Sequence, residues 1–454
     1  MVENTPTELL LPAAMEASLG RLRDANRAFA RRYPGESARR QPVHTVYGGA
    51  QLFRSDSTAK IGGVARRAVQ EYAPDADVFA EALGLADGAL AEAIYTRVTE
   101  KLAREPVEDF RIDFEDGYGN RPDAEEDGHA AAVAREVAMG MEAETLPPFL
   151  GIRIKPLNEE LRERSVRTLK LFLAALLERT GGTLPANFVI TLPKIVIVEQ
   201  VAFFADVLDM LEERLGLKAG TLVFESMVET PQAIVDDAGR SILPLLPEAA
   251  RGRMVAAHFG TYDYTAGVGI TAAHQRMQHP ACDFAKHVMQ VAYAGTGIWL
   301  SDGSTAILPV PVHRAAPGSR LTANQQRENQ QSIHRAWKLH FDDVRHSLVH
   351  GFYQGWDLHP AQLPTRYAAV FAFFLEAVDA AGERLRNFVQ KAAQATLVGD
   401  VFDDAATGQG LLNYFARGIN CGALTEAEAL QRTSLTLEEL RERSFVKILH
   451  NRQE

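Results

Sequence analysis

About eight short strand-like segments lie between His44 and Pro360, and helical patterns long enough to cross back over a sheet separate most of them, so the chain predicts a parallel α/β barrel of the TIM (β/α)8 type. Two further observations agree. Near the centre, Thr221–Glu229 and Met254–Thr265 read as strands that each deliver a carboxylate, Glu229 and Asp263, at the end where such barrels build their sites. The rival open, doubly wound sheet lacks its signatures, because neither Gly-x-Gly-x-x-Gly after the first strand nor Gly-x-x-x-x-Gly-Lys-Ser/Thr occurs. This divides the chain into an N-terminal helical arm over residues 1–40, a barrel domain over 41–365 and a C-terminal helical extension over 366–454.

The elements follow in order. Leu9, Leu10, Met15, Leu19, Leu22 and Phe29 recur at helical spacing until Tyr33-Pro34-Gly35 stops them. A strand at His44–Phe53 leads to helices near Gly62–Tyr72 and Phe79–Ala103. Asp109–Asp113 alternates as a strand, which puts Asp113 and Glu115 on one face and Ile112, Phe114 and Asp116 on the other. Acids between Asp123 and Asp127 suit the N-terminal end of the helix that runs to Glu142. Gly151–Lys155, with Arg153 and Lys155 on one side, precedes a helix over Glu159–Arg179, and Asn187–Ile195 precedes one over Val201–Leu215. A helix is expected to join the two central strands. Ala281–Ala294 and Arg335–His350 read as helices, Gly297–Asp302 and Ala306–Pro311 as strands, and Gly351–Pro360 carries a last short strand. From Leu363 the chain is helical, with Tyr367–Arg386 apolar on one side and Leu435–Leu449 as a terminal helix.

Composition narrows the function. The chain has 454 residues, 46% of them hydrophobic, enough for a large core. Its net charge of -11, from 48 basic and 59 acidic side chains, argues against nucleic acid or an anionic membrane as the main partner. Small anionic substrates remain compatible, because a pocket can be locally basic. The two cysteines, Cys282 and Cys421, form no Cys-x-x-Cys pair, and the first residues lack a signal peptide's pattern. No run approaches the roughly 18 apolar residues of a membrane span. A cytoplasmic location is the expectation.

Several residues could carry chemistry. Glu229 and Asp263 suit Mg²⁺, which commonly takes one or two carboxylates and fills its octahedron with water and substrate oxygens; each also reads as an ordinary cap or loop acid. Glu225 shares a face with Glu229 and, if buried, needs a partner such as Lys194 or Lys155. Arg153 suits a bidentate grip on a substrate carboxylate, or equally an ion pair with Asp113 or Glu115. Glu115 and Asp116, beside Gly117 and Gly119, suit proton movement or metal-bound water, or turn chemistry. His359 suits substrate hydrogen bonding or a structural bond. Covalent acyl-enzyme hydrolysis finds little support, since no Gly-x-Ser-x-Gly elbow exists and Cys282, although near His279 and Lys286 in sequence, sits in a helical pattern.

Taken together, Asp113-Phe-Glu-Asp116, Ile152-Arg153-Ile154, Leu192-Pro-Lys194, Val228-Glu229-Thr230-Pro231, Gly260-Thr-Tyr-Asp263-Tyr-Thr-Ala-Gly-Val-Gly269 and Leu358-His-Pro-Ala-Gln362 resemble, in order, the strand-end motifs of the HpcH/HpaI aldolase and citrate lyase β-subunit superfamily. The resemblance covers His44 to Gln362. It implies a TIM barrel, commonly a homo-oligomer, with Glu229 and Asp263 as Mg²⁺ ligands and Mn²⁺ as the alternative ion. It implies Arg153 as the catalytic substrate-binding group, Glu115 and Asp116 as supporting acids, and Lys194, Gly260, Thr261 and His359 as further substrate-binding positions. The implied chemistry is reversible carbon–carbon cleavage through a metal-stabilised enolate of a 2-oxo acid or acyl-CoA. Two alternatives stand beside it: phosphoryl transfer or thioester hydrolysis in the same barrel, and a non-catalytic metabolite-binding subunit. The chain departs from the pattern through insertions around residues 72–105 and 305–335, the long C-terminal extension, and Tyr262 and Tyr264 on either side of Asp263, whose rings are expected to reshape the pocket.

Overall fold

The computed structural model describes residues 13–35, 37, 39–85, 88–390, 396–398, 401–403, 405–442, 447–448 and 451. Eight parallel strands make one sheet: β1 (His44–Gly49), β2 (Asp109–Asp113), β3 (Phe149–Arg153), β4 (Phe188–Leu192), β5 (Phe224–Val228), β6 (Met254–Phe259), β7 (Trp299–Ser301) and β8 (Gly355–Asp357). They neighbour one another in sequence order from β1 to β7, with β8 on the free side of β1. Between β7 and β8 the ring closes through a parallel bridge from Ser304 to Trp356, with Asp302 N–H donating to Gln354 O (2.8 Å) and Trp356 N–H to Gly303 O (2.9 Å). The fold is the TIM barrel that the strand count predicts.

Alternation explains how these strands fill both sides of the wall. Ile112, Ile152, Ile190, Phe224 and Phe259 are buried against the surrounding helices. The other parity points into the barrel and is unusually polar. Arg111 sits at its centre, its Nε and Nη2 donating to the two oxygens of Glu225 (2.8 Å each) and its Nη1 to Asp109, while His258 Nε2 lies 3.0 Å from Glu225. Every one of these groups is buried, so each charge needs the partner it has. Glu225 is therefore not paired with Lys194 or Lys155. Register puts Glu225 opposite Thr191, three residues before Lys194, and Lys155 lies beyond the end of β3, where its Nζ turns to Phe114 O (2.6 Å) and Glu126 (3.2 Å). Gly151 lets the backbone of β4 come close and leaves space for Arg111: a Cβ there would lie 1.9 Å from Val189 O and 3.2 Å from Arg111 Cδ. Gly151→Ala is expected to lower the urea midpoint by an amount equivalent to about 1–3 kcal/mol of overpacking strain, with the slope unchanged.

The helices follow the strands. An arm, α1 (Ala13–Arg32), precedes β1. After β1 come α2 (Ser57–Tyr72), α3 (Ala76–Leu83) and α4 (Gly88–Arg104); the single helix expected over Phe79–Ala103 is two, because Gly84 ends α3 in the left-handed region (φ 69°). α5 (Asp123–Glu142), α6 (Arg162–Thr180) and α7 (Val198–Leu215) cover β2 to β4. No continuous helix joins β5 to β6. Pro231, Pro244 and Pro247 each open a new short turn there, leaving α8 (Pro231–Ile234) and α9 (Leu246–Ala249). α10 (Thr261–Gly267) begins immediately after β6, so Asp263 stands in a first helical turn, not on a strand. α11 (Pro280–Tyr293) precedes β7, and α12 (Ala323–Val349) starts twelve residues before the expected Arg335. Residues 306–311 are irregular rather than a strand, as suits a segment in which Pro309 and Pro311 have no N–H to pair.

After β8, α13 (Leu363–Leu375) packs into the barrel's hydrophobic core, so the boundary expected at 365/366 falls inside that helix. The stretch Tyr367–Arg386 divides between α13 and α14 (Val378–Gln390). A short antiparallel hairpin, β9 (Thr396–Val398) with β10 (Val401–Asp403), is a feature the sequence did not suggest; α15 (Ala405–Asn420), α16 (Glu426–Thr433) and α17 (Leu437–Glu442) complete the chain. Leu385, Phe388, Leu412 and Phe415 give this extension a hydrophobic cluster of its own. Leu9, Leu10 and Leu449 lie outside the described residues. Among those described, no helix is long and apolar enough to cross a membrane.

Candidate active site

A cavity of about 380 Å³ opens at the C-terminal ends of the strands. It gathers Asp113 at the end of β2, Asp116 just after it, Arg153 at the end of β3, Glu229 after β5, and Gly260, Thr261 and Asp263 at the start of α10. Residues far apart in sequence meet here because every parallel strand ends on the same rim.

Glu229 is the least ordinary of them. It is only 2% exposed, and its Oε1 accepts the backbone N–H of Lys194 at 2.7 Å, a bond made possible by the left-handed Lys194 backbone (φ 50°). Gly260 lies flat against it; a Cβ there would come within 2.4 Å of Glu229 Cβ. Burial, reinforced by the nearby negative charge of Asp263, pushes the Glu229 carboxyl up to about 8. Lys194 and Arg153 pull in the other direction without cancelling that rise.

The cations are already engaged. Arg153 donates from Nε and Nη2 to the two oxygens of Asp113 (2.7 and 2.5 Å), places Nη1 3.1 Å from Glu115, and lies over the Tyr47 ring at 4.8 Å. Lys194 Nζ bonds Glu115, donates to Asp116 at 2.9 Å and stands 3.6 Å from Asp263. Burial works against the Lys194 ammonium, but Glu115 and Glu229 more than offset it and hold its pKa above the ordinary value. Five carboxylates, Asp113, Glu115, Asp116, Glu229 and Asp263, thus share two cations, Arg153 and Lys194. A further positive charge is what the cluster lacks. Among the described residues no three His, Cys, Asp or Glu groups converge as a ready coordination set. Glu229 and Asp263, two carboxylates open to a cavity, still fit a Mg²⁺-type ion that takes its remaining oxygens from water and substrate.

Three expectations need adjusting. Asp116 does not face away from Glu115: β2 ends at Asp113, whose carboxylate accepts the N–H groups of Glu115 (2.9 Å) and Gly117 (2.7 Å), and this turn swings Asp116 round to Lys194. His359 is a cap, its Nδ1 accepting the Ala361 N–H at 3.1 Å; burial lowers its pKa, and Leu358, not His359, reaches the cavity. Only one of the two tyrosines beside Asp263 shapes the pocket. Tyr262 donates to Ser304 O and accepts from Ala306 N–H, both at 2.8 Å, whereas Tyr264 turns into the core beside Phe259.

The remaining wall was not identified from sequence. Tyr47 and Trp356 pack together at 4.5 Å between ring centroids, and the Trp356 indole N–H donates to His258 Nδ1 at 3.1 Å, joining the cavity floor to the buried Glu225–Arg111 network. Their signal was parity: both lie at inward positions of β1 and β8, opposite the core-facing residues.

Comparison with known proteins agrees with this architecture. The family model described as a domain of unknown function, DUF6986, matches residues 22–448. No curated protein matches the chain. Among solved structures, a citrate lyase from Burkholderia xenovorans LB400 is similar with a TM-score of 0.54 at 21% identity, covering 75% of this chain and 92% of its own. The Haloferax volcanii malate synthase magnesium/glyoxylate complex gives 0.47 at 13% identity, covering 89% and 97%. The Mycobacterium tuberculosis protein CitE, in complex with magnesium, acetoacetate and coenzyme A, gives 0.44 at 13% identity, covering 88% and 100%. The citrate lyase likeness shows a shared barrel fold.

Proposed function

The chain belongs to the DUF6986 family, and from the site just described we propose that it is a metal-dependent carbon–carbon lyase or aldolase acting on a small 2-oxo acid or acyl-CoA. One observation carries the reading: Glu229, buried and short of positive charge, stands beside Asp263 in a cavity that Arg153 also lines. Glu229 and Asp263 would hold Mg²⁺, with Mn²⁺ as the alternative. A divalent ion bound there supplies Lewis-acid stabilisation of the negative charge that develops on a carbonyl oxygen during carbon–carbon cleavage or formation.

The protein's own groups do the rest. Arg153 is held by Asp113 and Glu115 through three of its N–H donors, which fixes the guanidinium plane and leaves its remaining donors for an anionic substrate oxygen. Lys194, drawn between Glu115, Asp116 and Asp263, keeps those carboxylates from repelling the same substrate. Glu115 and Asp116 would take up or release the proton that cleavage or condensation requires. Tyr47, Trp356 and Tyr262 wall the cavity and limit water, which strengthens every charge interaction inside it.

The test is a panel of pyruvate, oxaloacetate and acyl-CoA substrates, each followed for carbon–carbon cleavage or condensation with Mg²⁺, with Mn²⁺ and with EDTA. Turnover that EDTA abolishes and added metal restores is expected. Turnover indifferent to metal, or release of phosphate or free CoA without a change in carbon skeleton, would overturn the proposal.

A further inference from the structure

α1 is a 20-residue helix that makes no sustained packing contact with another described element. From Met15 to Arg32 every residue is exposed except Gly20, which is half-buried. Its apolar side chains nevertheless form one stripe: Met15, Leu19, Leu22 and Phe29 are 49%, 44%, 56% and 64% exposed. Isolated helices of this length are marginal in water, and most helical stability comes from covering such a stripe. A matching surface exists on α7, whose outward line runs Glu199, Phe203, Asp206, Met210, Glu213 at alternating spacings of four and three residues. Phe203 and Met210 are 43% and 53% exposed.

We propose that α1 is an exchanged arm that lies along α7 of a second copy of this chain. Charge selects that occupant. α1 carries Arg21, Arg23, Arg27, Arg31 and Arg32 against Glu16 and Asp24, while the exposed side of α7 presents Glu199 and Glu213 against Arg214, with Asp206 and Asp209 shared with Arg251 and Arg253 of the same chain and Glu212 buried beneath. The two helices match in length, at 20 and 18 residues. Position agrees as well. Arg32 at the root of the arm donates to Pro244 O (3.4 Å), and Arg251, just beyond α9, pairs with Asp206 of α7 (2.8 Å), so root and docking face share one flank of the barrel. A crook of about 420 Å³ remains between the arm's root and the body, lined by Tyr33, Pro34, Pro247 and Met254 among others. A two-fold axis on this flank sends each arm across to its partner, and the contact is self-complementary, as a closed dimer requires.

The experiment measures mass by light scattering and by sedimentation on the full chain, at concentrations from sub-micromolar to about 100 µM. A dimer is expected. Arg23→Glu/Arg27→Glu should weaken dimerisation at least about tenfold, Glu199→Lys/Glu213→Lys should do the same, and combining all four should restore it. None of these residues belongs to the proposed catalytic machinery, and an unchanged far-UV circular dichroism spectrum reports an intact fold. A wild-type monomer throughout, including one whose arm amides are protected by its own body, overturns the proposal. So does a dimer that both charge reversals leave unmoved, or a quadruple variant that fails to re-associate. The result stands or falls independently of the reaction proposed above.

Discussion

Arg153→Met is expected to cost stability and function together, the larger part of it electrostatic. Its guanidinium is 6% exposed, Asp113 is 1% exposed, and removing the arginine strands Asp113 with Glu115 beside it. Breaking one side of a buried pair typically costs about 3–5 kcal/mol, far more than the lost contact over the Tyr47 ring. The urea midpoint should fall accordingly. Arg153→Lys separates the two roles, because it keeps the charge yet cannot reproduce the two-pronged bond to Asp113 at 2.7 and 2.5 Å. We expect Arg153→Lys to retain most of the stability while kcat/KM for an oxo-acid substrate falls roughly 100-fold at saturating metal, as loss of a positioned cation does elsewhere. Full activity in Arg153→Lys would reduce Arg153 to a structural ion pair.

The parts of this site that sequence revealed were those in which a strand's end and a charge coincide. Glu229, Asp263 and Arg153 could be placed together because parallel strands share a rim, and Lys194 could be placed among them by its motif. Side chains whose direction depends on where a strand stops could not. Asp116 faces Lys194 only because Asp113 pins the following turn, and Lys155 leaves the barrel only because β3 ends at Arg153. Tyr47 and Trp356 were hidden for another reason. An aromatic residue in a strand reads as core, and these two occupy the inward parity of a barrel whose interior is polar. Prolines account for two of the misread elements: those at 231, 244 and 247 divide the connection between β5 and β6, and those at 309 and 311 keep 306–311 from pairing.

Glu229→Gln should abolish the response of the protein to Mg²⁺ and, with it, turnover by roughly a thousandfold. The pH dependence of the metal-free protein makes the same point without an activity assay. Burial and Asp263 raise the Glu229 carboxyl from its usual 4.5 to about 8, so the folded state holds that proton more tightly than the unfolded chain does. Stability from this group is therefore complete below about pH 4.5 and is lost as pH rises through about 8. The thermal midpoint of wild type in EDTA should decline across that window, and saturating Mg²⁺ should restore it most at the alkaline end, where the carboxylate is ionised and free to bind a cation. Glutamine keeps an oxygen for the Lys194 N–H, which Glu229 accepts at 2.7 Å, but it has no proton to lose. The variant should accordingly be more stable than wild type at pH 8 in EDTA, show a shallower decline with pH, and gain nothing from Mg²⁺. A Glu229→Gln protein that still shifts its midpoint with Mg²⁺ would mean that the ion binds elsewhere, and the proposed role of the Glu229–Asp263 pair would be wrong.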